Sequence, residues 1–151
     1  MVLIADVDEI PSATALAARP DTAAALLQRL CMYAVDWEYP QRHLCSVIAR
    51  AGAVGSSLAS VRGARYSMPV IADGGWHLTW LGGTEGLRRK LAVTCHTEMT
   101  AAEAERLSSG RAYLNGEHHG GQYQMVPVDV DETWPRWIYE RKCPPEWFRP
   151  R

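Results

Sequence analysis

The chain opens on VLIADVDEIP, residues 2 to 11, where a short apolar run leads into two aspartates one residue apart, then Glu9 and Pro11. Val2 to Val7 reads as a buried strand that ends at the aspartates. Extended geometry turns alternate residues to one face, so Asp6 and Asp8 should point the same way. Pro11 should stop further pairing. Two carboxylates on one face repel each other unless a divalent cation sits between them or they share a proton. A strand end in an open α/β sheet is also where such folds bind ligands. The plain alternative is an acidic surface turn.

Two chemistries use such a pair. In the first, the aspartates hold Mg²⁺ or Mn²⁺, which neutralises a departing diphosphate. In the second, Asp6 attacks a phosphate and Asp8 serves as acid and base. The opening resembles haloacid-dehalogenase-type phosphatases, which also start with an apolar strand and DxD. In that family Gly and then Thr or Val usually follow the second aspartate, whereas Glu9, Ile10 and Pro11 follow here. The phosphatase reading therefore ranks second.

The stretch GGWHLTWLGG, residues 74 to 83, places six residues between two glycine pairs. Alternation puts Trp76, Leu78 and Trp80 on one face of a strand and His77, Thr79 and Leu81 on the other. The glycines admit bends and close approach at both ends. Thr84 then caps a helix through about Val93, with Glu85 and Arg89 spaced as an i,i+4 pair. Thr100-Ala-Ala-Glu103 fits a capping box for a helix ending near Gly110. Asp21 can cap an earlier helix with Ala23, Leu26, Leu27 and Leu30 on one face. Cys31 to Tyr39 reads as a strand, and Arg42 to Arg65 as a short strand followed by a short helix. GEHHGGQ, residues 116 to 122, reads as a polar loop, and the pair His118-His119 in it as no metal site. QMVPVDV reads as an edge strand. The proline-rich tail from Trp134 should wrap the surface irregularly.

A length of 151 residues fits one domain. The formal charge of −1 gives no general attraction to nucleic acid or anionic lipid. The start lacks the basic segment and long apolar run of a signal peptide, and no apolar stretch is long enough to span a bilayer. Cys31, Cys45, Cys95 and Cys143 form no CxxC pair and read as free, mostly buried thiols in a reducing, cytoplasmic setting. Six Trp and six Tyr against one Phe favour flat aromatic surfaces with polar edges, for a core or for sugar contact.

Read in order, DVDEIP, GGWHLTWLGG, Lys90 and His96-Thr97-Glu98 resemble glycosyltransferase family 17, the β-1,4-mannosyl-glycoprotein N-acetylglucosaminyltransferase family. The likeness runs from residue 3 to about 138, through VPVDVDETWPRWI, and leaves 139–151 as a tail. It implies a GT-A-like α/β fold with a mixed, mostly parallel sheet flanked by helices. It also implies inverting transfer from a nucleotide sugar, UDP-N-acetylglucosamine, to a carbohydrate or other hydroxyl acceptor. By the resemblance, Asp6 and Asp8 hold Mn²⁺ or Mg²⁺, and His96 completes the metal shell or touches the phosphates. Trp76, His77 and Trp80 lie near donor or acceptor sugar, and Lys90 offsets diphosphate charge. Glu98 and Asp73 are the candidates for the base that takes the acceptor's proton. Family members carry a substantial segment before the aspartates, so the chain is expected to be an incomplete domain of weak or no activity alone. A separate chain would then supply the front half, or an exposed sheet edge would drive self-association. A third expectation, from another class, is a noncatalytic carbohydrate-binding module that keeps the aromatic strand.

Overall fold

The computed structural model describes residues 1–54, 57–93, 100–118 and 122–150. In chain order the elements are β1 (Val2–Ile4), β2 (Glu9–Pro11), α1 (Ala13–Ala17), β3 (Ala24–Met32), β4 (Trp37–Glu38), β5 (His43–Ala49), α2 (Leu58–Gly63), β6 (Val70–Ile71) and β7 (Gly75–Thr79). There follow α3 (Gly83–Val93), α4 (Ala101–Ser108), α5 (Arg111–Asn115), β8 (Glu117–His118), β9 (Tyr123–Gln124), β10 (Val126–Pro127) and α6 (Arg136–Tyr139). These elements gather into two compact units, Met1–Leu30 with Gln41–His77, and Cys31–Pro40 with Leu78–Arg151.

In the first unit, β5 carries antiparallel neighbours on both sides. Val2, Leu3 and Ile4 of β1 face Ala49, Ile48 and Val47. On the other side Ala24 and Ala25 of β3 face Ile48 and Val47, and a bulge shifts the register before Leu27 meets Leu44 and Gln28 meets His43. The short β6 runs parallel to β3. Ser12 caps α1 by accepting from the Ala15 backbone amide, as a serine at this position should. Ala15, Ala24, Leu26 and Ile48 form the core here, with Ile71 packed against them.

Two corrections follow. The segment after Asp21 is a strand and not a helix. Its apolar spacing satisfies both periods, and burial on consecutive positions (Ala24, Ala25 and Leu26) is what a strand covered on both faces requires. The sheet is mixed but mostly antiparallel, against the expected mostly parallel arrangement. A parallel neighbour needs a crossover of a dozen or more residues, usually helical. With residues 24–32 spent on a strand, the early crossover helix is lost. The long passage through α2 does lead to a parallel strand, β6.

In the second unit, β4 pairs antiparallel with β10 and, at Cys31 and Glu38, with the end of β3. Within the segment expected to be a polar loop, Glu117 and His118 instead form a short ladder with Gln124 and Tyr123, while residues 119–121 lie outside the described residues. The helix expected after Thr84 is present and is described over Gly83–Val93; it starts at Gly83, so Thr84 lies inside its first turn and does not cap it. Glu85 in it pairs with Arg88 at 3.9 Å, one residue nearer than the expected Arg89. The tail is not an irregular wrap: Trp134, Ile138, Cys143 and Phe148 are buried, and α6 and a turn at Pro145–Trp147 give it regular pieces. Large apolar side chains spaced along a proline-rich segment bury themselves whatever its backbone. Among the described residues no helix is long and apolar enough to cross a membrane.

Candidate functional site

The acidic segment is a turn. β1 ends at Ile4, and the Glu9 amide donates to the Asp6 carbonyl at 3.1 Å while the Asp6 amide donates to Glu9 Oε2 at 3.0 Å. Val7 stands at the tip, wholly exposed. The expected extended strand with both aspartates on one face is therefore corrected. A local side-chain contact closes the backbone after Asp6, and each aspartate receives a counter-charge of its own. Both Asp6 oxygens accept from Arg62 of α2, one bond being 2.6 Å. Asp8 Oδ1 lies 3.5 Å from His77 Nε2. The Arg62 guanidinium holds the Asp6 carboxyl below its usual range, against opposing desolvation and the neighbouring Asp8 charge.

From this turn β2 runs antiparallel to β7, pairing Glu9 with His77, Ile10 with Trp76 and Pro11 with Gly75. Gly75 has φ +113°, and a Cβ there would stand 2.1 Å from the Ile10 carbonyl oxygen. Only glycine lets the two strands approach so closely. The glycine pair at this end of the strand thus does what the sequence predicts.

Glu9 is the buried charge of the unit, its side chain 1% exposed. It accepts from Arg62 Nη2 at 2.6 Å, from Ser46 Oγ at 2.9 Å and from the Asp6 amide. Behind it, Ser46 Oγ also reaches Gln28 Oε1 at 3.4 Å, and Gln28 Nε2 donates to the Gly74 carbonyl. A buried carboxylate persists only when paired and hydrogen-bonded in this way.

Cys45, next to Ser46 on β5, brings Sγ to 3.6 Å from His77 Nδ1. One imidazole thus faces sulfur on one edge and the Asp8 carboxylate on the other. Burial works against charge on His77, but Asp8 and Cys45 overcome it and hold its pKa up at about 9. His43 moves the opposite way, pushed down by burial and by the His77 charge. Ligand atoms of Glu9, Cys45 and His77 all lie within 4.8 Å of one another, a grouping that can hold a metal ion.

The remaining sequence-predicted residues fall as follows. Asp73 is exposed and accepts from Arg42 at 2.6 Å, so its carboxylate is engaged at the surface. Trp76 lies on β7 beside His77. Trp80 does not continue the strand; its φ of 59° turns the chain, because β7 ends at Thr79. In the second unit Lys90 Nζ lies 5.5 Å above the Trp80 ring and donates to Thr79 Oγ1 at 3.3 Å. His96, Glu98 and His119 lie outside the described residues, as does Cys95. Cys31, Cys45 and Cys143 are buried and outside any disulfide.

Sequence reasoning missed Glu9, Cys45, Ser46 and Arg62. A usable signal was present for one of them: strand alternation in RHLCSVIA puts His43 and Cys45 on one face. Comparison with family models, with curated proteins and with solved structures returned no match.

Proposed function

We propose that the chain is a metal-dependent, inverting glycosyltransferase with a GT-A-like site, moving a sugar from a nucleotide donor to a hydroxyl acceptor. UDP-N-acetylglucosamine is the donor by the family resemblance. One observation supports this reading above the others. The register of β2 with β7 sets the DVDEIP turn against the tryptophan–histidine strand, so two of the segments that carry the resemblance are direct neighbours.

Manganese or magnesium, when bound, would neutralise the diphosphate leaving group. Asp8 is the aspartate assigned to such an ion, since both Asp6 oxygens are taken by Arg62. Protonated His77 puts an N–H donor beside Asp8, where it can serve anionic phosphate oxygens. In the second unit the Lys90 ammonium and the Trp80 indole offer a cation and an apolar ring face, the chemistry a sugar phosphate uses. The acceptor's proton goes to Asp73 or Glu98 in this reading. The phosphatase alternative suffers from the same Arg62 contact, which occupies both oxygens of its would-be nucleophile.

Calorimetric titration with UDP-N-acetylglucosamine, with and without Mn²⁺, tests the proposal. Metal-dependent binding is expected, weakened roughly tenfold or more by Asp8→Asn. Sugar binding indifferent to metal and to Asp8→Asn would overturn it in favour of a carbohydrate-binding module. Release of phosphate from an aryl phosphate, abolished by Asp6→Asn, would overturn it in favour of a phosphatase.

A further inference from the structure

We infer that Glu9, Cys45 and His77 form a site for a borderline first-row metal ion of the zinc type, with Asp8 orienting the histidine. The site shares Asp8 and His77 with the transferase reading, but its ligands differ in kind from the oxygen set that manganese or magnesium prefers. Thiolate, imidazole and carboxylate together select zinc-like ions, whereas hard ions take oxygen alone.

Distance is the first argument. With a zinc–sulfur bond of about 2.3 Å and a zinc–nitrogen bond of about 2.0 Å at the tetrahedral angle, sulfur and nitrogen stand about 3.5 Å apart. Cys45 Sγ and His77 Nδ1 are 3.6 Å apart, and the Glu9 carboxylate closes the triangle within 4.8 Å.

The surroundings of each ligand are the second argument. A metal-bound histidine commonly donates its other ring N–H to a carboxylate, which fixes the tautomer and raises the basicity of the ligating nitrogen. His77 has that arrangement, with Nδ1 toward sulfur and Nε2 3.5 Å from Asp8 Oδ1. The Glu9 carboxylate has about four lone-pair sites, of which Oε2 uses two on Ser46 and the Asp6 amide and Oε1 uses one on Arg62. One site on Oε1 remains for an ion. Three protein ligands leave a fourth position for water or substrate, the pattern of catalytic rather than purely structural zinc.

Binding changes no oxidation state, and any proton held on the ligating sulfur or nitrogen leaves as the ion enters.

Cobalt titration of the reduced, chelator-stripped protein tests the inference. Stoichiometric Co²⁺ should give a thiolate-to-cobalt charge-transfer band in the near ultraviolet and the visible absorption of tetrahedral cobalt. Added Zn²⁺ should bleach both bands. Cys45→Ser should abolish the charge-transfer band, while single serine variants of Cys31, Cys95 and Cys143 retain it. Asp8→Asn should keep the band and weaken affinity roughly ten- to a hundredfold. Should Cys45→Ser fail to fold, His77→Gln serves in its place, with loss of the tetrahedral absorption expected. Octahedral cobalt without charge transfer, or a band that survives Cys45→Ser, overturns the inference and leaves an S–H···N hydrogen bond in a polar core. Neither result depends on nucleotide-sugar binding, so this inference and the transferase proposal fail separately.

Discussion

Among the described residues each of the two units buries one acid, and the two acids behave differently. Glu9 in the first unit and Asp36 in the second are 6% and 7% exposed. Asp36 accepts from the Arg149 backbone amide at 2.7 Å, and Arg149 Nε lies 3.4 Å away. Its backbone carbonyl takes the Val128 amide. Every one of these contacts ties the C-terminal segment to the loop after β3. Glu9 has a comparable complement of donors, yet sulfur and imidazole also stand beside it. Among the described residues the grouping of metal-capable atoms occurs at Glu9 and not at Asp36. Burial of an acid is therefore a statement about compensation, and the chemistry of the next neighbours decides whether it becomes a site.

The largest effect that can test this contrast comes from Arg62. Removing one partner of a buried ion pair leaves the other charge without compensation and costs about 3–5 kcal/mol. Arg62 serves the almost wholly buried Glu9 and also Asp6. Arg62→Ala should lower the urea-unfolding free energy by about 4 kcal/mol, while Arg62→Lys recovers part of the loss as a point charge without the fork. A change under about 1 kcal/mol would show that the Glu9 carboxylate tolerates its site on Ser46 and backbone donors alone.

The reach of the sequence follows the same line. The strand at residues 75–79 was legible because its alternation is local and glycines bracket it. The helix over Gly83–Val93 was legible for a similar reason. The aspartate turn was not, because its geometry depends on Arg62, 56 residues away from Asp6. Residues 24–32 carry an apolar spacing that suits helix and strand alike, and only their partners on β5 and β6 decide. The site joins residues from β2, β5 and β7, so even with Glu9 and Cys45 in view their meeting needed strand register, which one sequence does not display. Acidic character near the start was readable; the ligand set was not.

A smaller effect separates the units by pH. Against its burial, Asp8 and Cys45 raise His77 to about 9 from an ordinary 6.5, so the folded state binds its proton more tightly than the unfolded chain. The resulting stabilisation is full below pH 6.5 and is lost as pH rises through about 9. It amounts to about 3 kcal/mol at most. Imidazole NMR on chelator-treated protein should find the raised value, and the stability difference between wild type and His77→Gln should shrink across that window. Titration of His77 at or below its ordinary value would remove Asp8 as its effective partner.

The smallest effect belongs to the other acid. Arg149→Ala keeps the backbone N–H that holds Asp36 and removes only the side chain, whose Nε contact is long and whose guanidinium lies 5.6 Å above the Trp37 ring. The side chain is 34% exposed, so water can take over part of its role. The expected loss is about 1 kcal/mol or less, read from urea unfolding. Set beside Arg62→Ala, that ratio measures how far a backbone donor substitutes for a paired charge. A loss at Arg149 as large as at Arg62 would mean that Asp36 depends on its guanidinium just as Glu9 does. The distinction between the two acids would then rest on Cys45 and His77 alone.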